Sequence, residues 1–166
     1  MQVNTSTEYW QKGASLLHTD PLGKNDAVLP EGERIYLIAG TQHAGRAHMP
    51  GNEGNCRLAR NPHSAAPALR ALLVALDAWV VDGVRPPRNR IPLLRDGTFV
   101  PFAVTKAERE AAKDPRLSLE ERYKDRKGWL GYLRAVVYDL ARERLLLKED
   151  ADRIVDAAEL VDPFKR

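Results

Sequence analysis

The chain has 166 residues, 43% of them hydrophobic and 30% charged, the composition of a soluble globular domain rather than of a disordered or fibrous chain. No apolar run approaches the ~20 residues of a membrane-spanning helix, and Cys56, the single cysteine, excludes an internal disulfide and any multi-cysteine zinc site. Of the 26 basic and 23 acidic residues behind the net charge of +3, 7 and 8 lie up to Gly83 and 19 and 15 after it; the basic excess is interspersed with acids, which argues against nucleic acid or a membrane surface as partner.

The opening Met1-Gln2-Val3-Asn4-Thr5-Ser6 has neither the basic nor the apolar segment of a signal peptide, which leaves the compartment open. From Thr7 to His18 the residues Tyr9, Trp10, Gly13, Leu16 and Leu17 fall at roughly helical spacing, and Asp20-Pro21-Leu22-Gly23 is turn chemistry that stops the helix. Arg34-Ile35-Tyr36-Leu37-Ile38-Ala39-Gly40 is a short apolar run rich in β-formers and closed by glycine, the pattern of a buried parallel strand. Residues 44 to 63 carry too many Gly, Pro and polar residues for regular structure and read as a long loop of the kind that lines sites.

Ser64 is placed to cap a helix whose apolar face is Leu69, Leu72, Leu73, Leu76, Trp79 and Val80; Gly83 ends it and Pro86-Pro87 prevents its resumption. The stretch from Ile91 to Pro101, with Asp96-Gly97 between two apolar pieces, suggests a hairpin-like edge segment limited by Pro92. Ser118-Leu119-Glu120-Glu121 is a capping box that opens a long helix with Leu119, Tyr123, Leu130, Leu133, Val137 and Leu140 on one stripe, and a last helix runs from about Glu149 to Leu160.

The junction with chemical content is the strand followed by Gly40-Thr41-Gln42-His43. Ligands and reacting groups gather at the carboxyl ends of parallel strands, and an imidazole there can shuttle a proton near neutral pH. The plainer role for such a histidine is a loop side chain bonded to a backbone carbonyl.

Several ordered stretches resemble the C-terminal region of a bacterial family of alpha/beta hydrolase domain proteins. They are Asn4-Thr5-Ser6-Thr7-Glu8-Tyr9-Trp10, Ala14-Ser15-Leu16-Leu17-His18-Thr19-Asp20, the run from Arg34 to His43, and Asn61-Pro62-His63-Ser64 with Ala68-Leu69-Arg70-Ala71-Leu72-Leu73. Pro101-Phe102 and Leu117-Ser118-Leu119-Glu120-Glu121-Arg122-Tyr123 extend the likeness. The resemblance implies a serine-type, esterase-like hydrolase in which nucleophile, acid and histidine follow one another along the chain. Residues 35 to 39 are then the last core strand, Gln2-Val3-Asn4 the stump of the preceding one, His43 the catalytic histidine and Glu8 the acid that orients it. Asp20 and Asp26 compete for the role of acid; Asp20 also suits a turn, and Glu8 also suits a helix cap.

The nucleophile elbow Gly-x-Ser-x-Gly does not occur in these 166 residues; Gly13-Ala14-Ser15-Leu16-Leu17 comes nearest but has Leu17 in place of the second glycine. The expectation is therefore a C-terminal portion of an α/β-hydrolase fold with an incomplete sheet. Residues 1–83 are its catalytic end and 84–166 a hairpin-like segment with C-terminal helices. Such a chain is inactive alone and depends on an upstream part that carries the serine, with a small ester-like substrate and neither metal nor cofactor. The alternative is a non-catalytic helical interaction module with a vestigial active-site loop. His18, His43, His48, His63 and Cys56 have no recognised metal-ligand spacing, Trp10, Trp79 and Trp129 read as helix packing, and Arg85, Arg88, Arg90 and Arg95 form a group open to an acidic ligand or to solvent.

Overall fold

In the computed structural model, which describes residues 1–43, 61, 63–97 and 119–165, the chain opens with strand β1, Gln2–Thr5, running directly into helix α1, Ser6–Gln11. Strand β2, Ile35–Ile38, lies parallel to β1 in the register Gln2↔Ile35, Val3↔Tyr36, Asn4↔Leu37 and Thr5↔Ile38. Parallel strands cannot be joined by a tight turn, and α1 with the segment after it supplies the crossover. That segment is not a continuation of the helix. Gly13 adopts φ 71° and a separate 3-10 turn follows over Ala14–Leu17, so the helix expected through His18 is split in two. The glycine that fits the helical spacing is also the residue best able to leave it.

The far side of β2 is met by a single parallel bridge, Tyr36↔Arg90, with Arg90 N–H donating to Ile35 O at 3.0 Å and Leu37 N–H to Arg90 O at 2.8 Å. Asn89 Oδ1 accepts from Ile35 N–H at 3.0 Å, and the Tyr36 hydroxyl donates to Pro87 O at 2.7 Å. The expected hairpin does not form over 91–97. A 3-10 turn occupies Leu94–Asp96 instead, because Asp26 accepts from the N–H groups of Leu94 (2.7 Å) and Arg95 (3.2 Å), while Pro92 has no N–H to offer a ladder. Residues 98 to 101 of that expectation lie outside the described residues, as does the loop 44–63 apart from Asn61 and His63.

Helix α2, Ala66–Asp82, has Ala65 rather than the expected Ser64 as its N-cap and no side-chain cap bond; Ser64 stands one residue earlier, its Oγ accepting from Ala66 N–H at 3.2 Å, and the helix ends at Gly83 with φ 69°. Its buried stripe is Ala71, Leu72 and Ala75; Leu69, Leu73 and Val80 are exposed. The difference from the expected face has a simple cause. The helix is apolar on nearly every side, so periodicity names no single face, and the small alanines permit the closest approach.

By its contacts the chain divides into the units Met1–Asp96 and Gly97–Arg166. In the second unit the expected long helix is broken into α3, Leu119–Tyr123, and α4, Arg126–Arg142. Lys124 turns left-handed at φ 66°, and the Asp125 carboxylate caps α4 by accepting from Gly128 N–H at 2.7 Å. Helix α5, Lys148–Glu159, packs on α4 through Val137, Leu146, Ala151 and Val155, with Leu133, Leu140, Ala141 and Ile154 at the margin. Of the predicted stripe, Leu133, Val137 and Leu140 thus enter this core.

The break depends on Gly128. A Cβ there would lie 2.2 Å from the Tyr123 carbonyl oxygen, whereas one at Gly131 on the same helix meets nothing within 4 Å. Gly128→Ala is expected to destabilise the second unit by about 1–3 kcal/mol through overpacking. Gly131→Ala should be neutral or stabilising by up to ~1 kcal/mol, since alanine is the better helix former. Denaturant melts followed by circular dichroism compare the two, and equal effects would contradict the close approach at Tyr123.

Candidate functional site

Because Thr5 and Ile38 are partners in register, the two strands end side by side. Whatever follows each is thereby brought together. After β1 the chain enters α1 at once, and Glu8 stands in its first turn. After β2 it turns at Gly40, with φ 76°, and passes through Thr41 and Gln42 to His43.

The polar residues that open α1 hold this turn against the helix. Ser6 Oγ accepts from Gly40 N–H at 2.8 Å, Ser6 N–H donates to Thr41 O at 3.2 Å, and Thr7 Oγ1 accepts from His43 N–H at 3.2 Å. Thr41 is buried, its hydroxyl donating to Ile38 O at 2.6 Å. Asn61 donates from Nδ2 to Gly40 O at 2.7 Å. A Cβ on residue 40 would stand 3.0 Å from that nitrogen, so glycine serves both the turn and the contact.

With its backbone held this way, His43 bonds the Glu8 carboxylate, Nδ1 to Oε1. The other carboxylate oxygen of Glu8 accepts from Thr5 N–H at 2.8 Å and from the Thr5 hydroxyl. The Thr5 hydroxyl bond is the largest of the causes that hold the Glu8 carboxyl down at about 2; burial opposes it and the His43 bond adds to it. Glu8 is therefore ionised at neutral pH and can only accept. The facing Nδ1 must be the donor, which leaves the lone pair of the neutral ring on Nε2. The Glu8 side chain is 21% exposed and that of His43 77%, so the carboxylate is sheltered while the imidazole opens outward.

The two other carboxylates considered for this place are engaged elsewhere. Asp20 organises its own turn, accepting from the N–H groups of Leu22 (3.0 Å) and Lys24 (2.9 Å) and from Asn25 Nδ2 (2.7 Å). Asp26 holds the Leu94 and Arg95 amides. Ser15 belongs to the 3-10 turn, where its carbonyl accepts from Thr19.

His18 is buried and stacked on Tyr9 with ring centroids 5.4 Å apart, and burial pushes its pKa below the ordinary value. His63 is exposed, while His48 and Cys56 lie outside the described residues. The residues that sequence reasoning passed over are Thr5, Ser6, Thr7 and Asn61. A signal for the first was present, since Thr5-x-x-Glu8 is a capping-box spacing.

The imidazole thus stands beyond the carboxyl ends of adjacent parallel strands with an ionised carboxylate on Nδ1, a geometry suited to proton transfer at Nε2. Residues 1–113 match the family model described as alpha/beta hydrolase domain, and the chain belongs to that family. The described helices α3 to α5 lie beyond the matched residues. No curated protein and no solved structure matches the chain.

The Glu8 geometry carries a pH signature. A carboxyl held near 2 when folded and near 4.5 when free contributes stability that is complete above about pH 4.5 and is lost as pH falls toward 2. Buried His18, with its pKa lowered from 6.5, acts in the same direction, its contribution being lost as pH falls below that value. Melting temperatures of the wild type should therefore decline on acidification. Glu8→Gln should remove the part of the decline between pH about 4.5 and 2, and an unchanged slope in that variant would show that Glu8 is not held in this way.

Proposed function

We propose that the chain supplies the histidine and the acid of a serine-type, esterase-like hydrolase, as the C-terminal portion of an α/β-hydrolase fold. The single observation that carries this reading is the bond from His43 Nδ1 to the Glu8 carboxylate across the ends of β1 and β2. The order of acid before histidine, each a few residues past the end of one of two adjacent strands, is the order expected of an α/β hydrolase.

In this reading Nε2 of His43 takes the proton of a serine hydroxyl as the oxygen attacks the ester carbonyl, and then returns it to the departing alcohol. Water repeats the exchange on the acyl-enzyme. Glu8 keeps Nδ1 protonated and stabilises the imidazolium formed at each proton transfer. Thr5, Ser6, Thr7 and Asn61 act as positioning residues, since they hold Glu8 and the backbone of His43 rather than touching substrate.

The serine comes from a segment outside these 166 residues. Gly-x-Ser-x-Gly does not occur in the sequence, and no described hydroxyl bonds Nε2 of His43. Two further features support a partner segment. Among the described residues β2 is the one strand paired with β1, which leaves the outer edge of β1 open to another strand. Leu73, Val74, Val80 and Val81 of α2 and Trp10 of α1 are exposed, apolar surface of the kind that covers a larger sheet.

The test is to co-express the chain with a segment carrying a strand, Gly-x-Ser-x-Gly and the following helix of an alpha/beta hydrolase, and to follow 4-nitrophenyl acetate hydrolysis. Turnover should require both parts. His43→Ala is expected to lower it by on the order of 10⁴ or more with the melting profile retained at pH 7, and Glu8→Gln by on the order of 10³–10⁴ with a lower but still cooperative melting transition at that pH. Near-normal turnover in His43→Ala would remove that residue from the mechanism, and esterase activity of the chain alone would place the nucleophile within it.

A further inference from the structure

Beyond the His43 site, the first unit contains an open cleft of about 520 Å³ at the other end of β2. Arg34, the residue just before that strand, lines it with Arg88 and Arg95, and Asp26 is the acidic residue of the wall. The four residues of β2, about 13 Å by strand rise, lie between the two places. Three guanidinium groups against one carboxylate leave an excess of two positive charges. Asp26 moreover turns its oxygens to the Leu94 and Arg95 amides rather than to an arginine.

The three cations are not paired with one another's neighbours in the usual manner of surface arginines. Arg85, close by in sequence, bonds Glu31 at 2.8 Å, but Arg88 and Arg95 form no ion pair among the described residues. Arg34 is fixed in place. Its Nη1 donates to the carbonyls of Glu31 (3.0 Å) and Glu33 (2.7 Å), its guanidinium lies 5.7 Å from the Trp79 ring centroid, and its buried Nε has no acceptor. A buried donor left unsatisfied costs free energy that an incoming oxygen would recover. Half-buried Leu29, Ile91 and Leu93 complete the wall with apolar surface.

We infer that this cleft is a binding site for a small organic anion bearing at least two negative charges on phosphate or carboxylate oxygens, with an apolar body. Guanidinium forks match the oxygens of both groups, and a rigid Arg34 reduces the ordering cost of binding. The site is independent of the hydrolase reading, because it shares no residue with the Glu8 and His43 pair.

Isothermal titration calorimetry of the 166-residue chain with phenyl phosphate, phenylsuccinate and inorganic phosphate, at low and high salt, tests the inference. At least one of the two organic anions should bind saturably, more tightly than inorganic phosphate and more weakly at high salt. Tighter phenyl phosphate indicates a phosphorylated ligand and tighter phenylsuccinate a dicarboxylate. Arg88→Gln and Arg95→Gln should each weaken binding at least fivefold and the double variant at least twentyfold, with melting temperatures unchanged because both side chains are exposed. Arg142→Gln, the same charge change on α4, and His43→Ala should leave affinity as in the wild type. Absence of saturable binding, or equal affinity in the Arg88/Arg95 double variant and in Arg142→Gln, would overturn the proposal.

Discussion

The carboxylate of Glu8 joins two pieces of the chain that are 35 residues apart, and the arrangement of the first unit turns on that junction. One oxygen closes the start of α1 onto Thr5 and the other holds His43. The junction is possible because β1 and β2 are parallel and in register at their ends, so that a helix leaving one strand faces the loop leaving the other. Parallel pairing requires a crossover, and the crossover begins with the helix that carries Glu8. Pairing and site are thus consequences of one topology.

A helix cap and a histidine partner are often treated as competing uses for an acid near a helix start. Here they are complementary. A carboxylate has about four lone-pair directions, and the Thr5 amide and hydroxyl occupy those of one oxygen, leaving the other for the imidazole. The cap also lowers the pKa of Glu8, which extends the range over which it is ionised toward acid pH; the ionised carboxylate makes Nδ1 of His43 the donor. The local helix chemistry therefore holds in place the carboxylate that faces a side chain on a different element. Ser6 and Thr7 add to this by bonding the backbone on which His43 stands.

The two ends of β2 differ in character. At the carboxyl end polar side chains from α1 converge on the Gly40 to His43 turn, and the acid there is matched to its histidine. At the amino end arginines outnumber acids, and the available carboxylate of Asp26 is drawn to backbone amides. The same physical rule explains both: a carboxylate goes where several donors can be satisfied at once, and the cations it leaves behind define the charge of what remains.

Local sequence was sufficient for the features that depend on neighbours along the chain. The apolar run at Ile35–Ile38, the α2 helix ending at Gly83 and the last helix near Lys148–Glu159 were legible because propensity, spacing and capping act over a few residues. So was the family resemblance, which rested on short ordered motifs, and the position of His43 just past a strand. Tertiary structure decided what those rules leave degenerate. Which face of the apolar α2 is buried, where the helix before Arg126 breaks, and why 91–97 turns instead of pairing depend on distant groups: the approach of alanines, the Tyr123 carbonyl beside Gly128, and Asp26 bonding amides 68 and 69 residues away. The choice among Glu8, Asp20 and Asp26 as the neighbour of His43 was equally non-local. All three precede β2 in sequence, and only the register of two parallel strands brings one of them to the imidazole.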